Sequence, residues 1–115
     1  MTTINGVDFR QVGRDALAAA RAVVDDPDTW GSLKDIVANV TEGLTRDVKL
    51  IARRKDSGEF NEDDARVFIE DQKMIARIRI RSVAIVGLQL AEDIWNAVAE
   101  VFRAAIRKAL DWSVL

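Results

Sequence analysis

The chain has 115 residues, 49% of them hydrophobic and 31% charged, with 17 basic side chains against 19 acidic for a net charge of −2. That length fits one domain spanning 1–115, the apolar share excludes a disordered chain, and the near-balance of charge excludes a global field that would recruit nucleic acid or an anionic membrane. Histidine and cysteine are both missing, which removes the usual proton shuttle, the activated thiol, any disulfide and the nitrogen or sulfur ligands of a metal site.

A Ser-His-Asp triad is therefore impossible within one copy. The expectation is a non-enzymatic protein with no cofactor and no metal. Residues 1–6 carry neither the basic region nor the apolar core of a secretory signal. The longest apolar run, Val83 to Leu88, is far short of the roughly 20 residues of a membrane span, and Arg77, Arg79, Arg81, Glu92 and Asp93 close it on both sides. A cytoplasmic location is expected.

The first helix is predicted over about 8–24. Phe9, Val12, Ala16, Ala20 and Val23 recur at the three- and four-residue spacing of one helical face. Asp25-Asp26-Pro27-Asp28 ends it, since proline disfavours helix at the residue before it and is welcome in a first turn. Asp26 can therefore cap the next helix, with Ser32 as an alternative start.

A middle helix is predicted over about 28–55, with Leu33, Val37, Val40, Leu44, Val48 and Ile51 as its apolar stripe. Asp56-Ser57-Gly58-Glu59 is the turn, where Gly58 supplies a positive φ. The loop from Arg53 to Asp64 has the glycine of a calcium loop, but Arg53 and Lys55 stand where carboxylates would have to bind the ion. Trp30-Gly31 lacks the intervening residue of the Trp-x-Gly turn found in small secreted helical hairpins, so Trp30 is expected to pack at a helix entry.

A third helix is predicted to start at Asn61, capped by that side chain, with Asp64 at its third position and Glu62, Asp63 and Asp64 at the positive end of the dipole. No proline follows, so one long helix over about 61–112 is the simplest expectation, roughly 78 Å at 1.5 Å per residue. The fold class is then all-α: an extended antiparallel hairpin with a short N-terminal helix. Antiparallel neighbours across Gly58 have numbers summing to roughly 117, which sets Arg46 near Asp71, Arg53 near Asp64, Arg54 near Asp63 and Val48 opposite Ile69.

In the second half of the long helix, Ser82, Gln89, Asn96 and Arg103 repeat every seven residues on one narrow polar band. The rest of the circumference is apolar, wider than the single stripe of a surface helix. The expected function follows from that excess. The chain is predicted to be a small helical assembly or adaptor protein that self-associates through Val83, Ile85, Leu88, Ile94, Trp95, Val98, Phe102 and Ile106. The competing arrangement is a break at Gly87 and a closed four-helix bundle that uses both faces internally.

A homo-oligomer is thus the expected state, with another helical protein as the alternative partner. A membrane-surface role ranks behind, because Glu92, Asp93, Glu100 and Asp111 dilute the cationic face of the C-terminal half. Third comes nucleic-acid or nucleotide binding by Lys73, Arg77 and Arg81, which share a helical face but lack accompanying base-reading residues.

Overall fold

The computed structural model describes residues 3–82 and 87–115. Among these, the elements are a two-stranded hairpin of β1 (Thr3–Ile4) and β2 (Val7–Asp8), then α1 (Phe9–Ala22), α2 (Pro27–Asp56), α3 (Glu62–Arg81) and α4 (Leu88–Leu110). The class is all-α, as the periodicities predict.

Local chemistry accounts for most boundaries. Asp8 caps α1 by accepting from the Arg10 N–H, and Asp26 caps α2 from its side chain, with Pro27 in the first turn. Asn61 and Asp64 form a reciprocal capping box at the start of α3, each side chain accepting the other's backbone N–H at 2.8 and 3.0 Å. Gly58 takes φ +78° in the turn between α2 and α3.

The expected unbroken helix over 61–112 is two helices. Ser82 ends α3, its hydroxyl donating back to the Arg79 carbonyl at 2.6 Å, and Gly87 opens α4 in an extended conformation. Between these two residues the sequence places the β-branched Val83, Ile85 and Val86, poor helix formers. A handful of helical hydrogen bonds, each worth about 1 kcal/mol net, is the cost of reversing the chain. Burying side chains such as Ile94 and Phe102, at about 1.5–3 kcal/mol each, outweighs it.

The result is an up-down-up-down bundle measuring 45 × 25 × 18 Å. α4 runs back along α3, so that Arg77 meets Glu92 near one end and Arg66 reaches the Ser113 carbonyl at the other. α1 is antiparallel to α4, with Asn5 donating to the Ala109 carbonyl at 2.6 Å. α1 packs most extensively on α4, and also on α2. One continuous core results, built from Phe9, Val12, Ala16 and Ala20 of α1, the Leu33-to-Ile51 stripe of α2, Ala65, Ile69, Ala76 and Ile80 of α3, and the apolar face of α4.

The predicted α2–α3 alignment is visible in Arg79, which donates to Asn39 at 2.7 Å. The expected ion pairs are not formed. Arg54 pairs with Glu59 at 2.9 Å and Asp63 with Arg66 at 2.7 Å, because near neighbours in sequence capture these exposed charges at less entropic cost. The C-terminal residues fold onto the bundle. Val114 is buried, and Ser113 donates its N–H to Glu62 while its carbonyl accepts from Arg66.

Candidate functional site

Five of the eight residues assigned to an oligomer interface are core residues of the single chain. Ile94, Val98 and Phe102 are wholly buried, Trp95 is 3% exposed and Ile106 1%. α1, α2 and α3 together cover the width of α4, so its broad apolar circumference is satisfied within one copy. Contact of these side chains with a second copy would require the bundle to open. Leu88, at the start of α4, is 64% exposed, and Val83 and Ile85 lie outside the described residues.

The exposed apolar surface lies elsewhere. α3 buries a narrow stripe of Ala65, Ile69, Ala76 and Ile80, half of it alanine. Its opposite face presents Val67, Met74 and Ile78, which are 68%, 58% and 62% exposed, with Ile75 at the margin. Spacings of seven and four place the first three on one line along the helix. Exposed single hydrophobes are ordinary, but a helix-long row of them is a docking surface in form. The sequence contained this row. The denser apolar pattern after Gly87 overshadows it in the sequence.

The charges around the row are unevenly distributed. Glu62, Asp63, Asp64, Glu70 and Asp71 occupy the N-terminal half of α3 with one base, Arg66, among them, and Lys73, Arg77, Arg79 and Arg81 the C-terminal half. Of the candidate phosphate-binding stripe, Lys73 lies 3.6 Å from Glu70 and Arg77 is held by Glu92 at 2.6 Å. Arg77 is neutralised from α4, since the chain reverses, and not from Asp35 or Glu42 of α2. Arg81 is exposed and makes no ion pair among the described residues. One open cation does not make an anion site.

Clefts border α2 on several sides. An open groove of about 320 Å³ lies between α1 and α2, with an apolar floor of Phe9, Leu17 and Ala38, the hydroxyls of Thr41 and Thr45, and Arg10, Arg14 and Glu42 also lining it. Its hydroxyls are already committed, Thr41 to the Ala38 carbonyl at 2.8 Å and Thr45 to the Thr41 carbonyl at 3.0 Å. A smaller cleft of about 130 Å³ between α2 and α3 contains Arg46, Asp47, Gln72 and Arg79. Partial burial pushes the Asp47 carboxyl above its ordinary range, with the Arg46 charge opposing the shift.

No family model matches the chain, and neither a curated protein nor a solved structure matches it significantly. Among the described residues, no helix is long and apolar enough to cross a membrane.

Proposed function

We propose that this protein is a non-catalytic helical assembly module that self-associates through the outer face of α3. The observation that carries this is the row of Val67, Met74 and Ile78, solvent-exposed on a helix whose opposite face is fully used by the core. The lack of histidine and cysteine supports a role without catalysis. The original expectation of self-association is thereby kept and its location moved, from the closed α4 face to the open α3 face.

Contact between copies through α3 removes these side chains from water without disturbing the bundle. A single helix-on-helix contact buries less than the standard interface, so the association is expected to be concentration-dependent rather than obligate. Light scattering across a micromolar dilution series tests it. The expected result is a mass above the monomer that falls on dilution, and that falls to the monomer when Met74 and Ile78 are both changed to Glu with helicity retained. A wild-type chain that remains monomeric throughout would overturn the proposal.

A further inference from the structure

We infer that the second copy docks in antiparallel register on α3, with Met74 of each copy against Ile78 of the other. The inference rests on the self-association proposed above and adds its geometry. Two independent features of α3 point to it: the polarity of its charges and the position of its exposed apolar residues.

All five acidic side chains lie in the N-terminal half of the helix, where Arg66 is the one base, and the other four basic ones lie in the C-terminal half. A parallel pair stacks acid on acid and base on base. An antiparallel pair centred in the C-terminal half sets the acidic start of the overlap, Glu70 and Asp71, against its basic end at Arg81, and also opposes the two helix dipoles. The helix is therefore complementary to a reversed copy of itself, which identifies the occupant of this face as a second copy of the chain.

The register follows from which side chains a two-fold axis brings together. When the axis passes between Met74 and Ile78, each of these faces the other across the pair. Glu70 lies four residues before Met74 and Arg81 three beyond Ile78, so they fall opposite each other on one flank, and twice by symmetry. On the other flank Asp71 lies opposite Ser82, and Ile75 extends the apolar contact. Arg81, which has no ion-pair partner among the described residues of its own chain, gains one in the second copy. The alternative register, with Val67 against Ile78, brings the two Asp71 carboxylates within about 5 Å along the axis. The register inferred here keeps them about 15 Å apart, at ten residues' spacing.

The chain has no cysteine, so an introduced thiol is unique. The test is oxidation of single-cysteine variants of the full chain, each checked for wild-type helicity, alongside light scattering of the wild type. The expected result is a disulfide-linked heterodimer from a mixture of Met74→Cys and Ile78→Cys. Val67→Cys alone should not link to itself, since its two copies would stand roughly 27 Å apart along the axis. In parallel, Arg81→Glu should weaken dimerisation about tenfold, two flanking pairs being reversed at once, and Glu70→Arg in the same chain should restore it.

Self-linking of Val67→Cys in a protein of dimer mass would overturn the antiparallel orientation while leaving self-association intact. Linking of Val67→Cys to Ile78→Cys, without the Met74 product, would overturn the register. Failure of Glu70→Arg to rescue Arg81→Glu would overturn the charge match. A wild-type monomer with no cross-link in any mixture would overturn both the register and the self-association beneath it.

Discussion

Phe9 at the start of α1 and Phe102 in α4 meet with ring centroids 6.4 Å apart, and neither is exposed to solvent. That contact joins the N-terminal helix to the C-terminal one and closes the bundle. Phe102→Ala removes most of a large buried side chain beside a second ring and should cost about 3–5 kcal/mol. Urea unfolding followed by circular dichroism would measure it. The same closure changes the expectation for Trp95. At 3% exposure, Trp95→Asp buries a charge without a partner, so the chain should lose cooperative unfolding rather than only change its mass.

The N-terminal hairpin is fastened to the far end of α4. Asn5 and Gly6 have φ of 47° and 83°, the two positive values of a tight two-residue turn that Asn-Gly adopts readily. Asn5 also donates to the Ala109 carbonyl, an end group of α4 without a helical partner. Asn5→Ala should lose about 1 kcal/mol for that bond, and Gly6→Val should lose at least as much through backbone strain. Thermal melts of the two variants would show it as a drop of several degrees each.

Two carboxylates should give opposite pH signatures. The Asp26 carboxyl is held below its ordinary range, chiefly by the Thr29 hydroxyl and then by the Asp28 N–H. Its stabilising effect is present above the range in which an unfolded carboxylate titrates, and is lost as pH falls through its depressed folded value. Asp47 is the reverse case, raised by burial. Its charge burdens the folded state at neutral pH, and protonation relieves that burden as pH falls through the raised folded value toward the unfolded one. Asp47→Asn should therefore be at least as stable as wild type at pH 7, with its advantage shrinking on acidification. Unfolding midpoints at pH 7 and pH 4 would check both.

The capping box at the start of α3 should be worth about 0.5–2 kcal/mol, read as the effect of Asn61→Ala on unfolding free energy. The Arg77–Glu92 pair, half-exposed at 2.6 Å, should couple by about 1 kcal/mol or less in a double-mutant cycle.

What could be read in advance was local. Asp26 before Pro27, Asn61 with Asp64, and Gly58 in its turn each act within a few residues, and each boundary stands where its chemistry places it. The Asn5-Gly6 turn is equally local, and its signal is the Asn-Gly pair itself between Ile4 and Val7. That α4 runs back along α3 is not legible in the sequence. Propensity between Ser82 and Gly87 is weak either way, and the deciding energy is burial of Ile94, Trp95 and Phe102 against helices far away in sequence. Counting apolar residues on α4 against one neighbouring helix produced an excess that three neighbours absorb. The exposed row on α3 is distinguished from core only by the fold, which turns Ala65, Ile69, Ala76 and Ile80 inward.

The most direct test of assembly through α3 is sedimentation equilibrium on the wild type and on Ile78→Glu at the same micromolar concentrations. The account predicts a wild-type mass that rises toward twice the monomer with concentration, and an Ile78→Glu chain that stays monomeric with unchanged helicity. Equal masses for the two proteins at every concentration would contradict it.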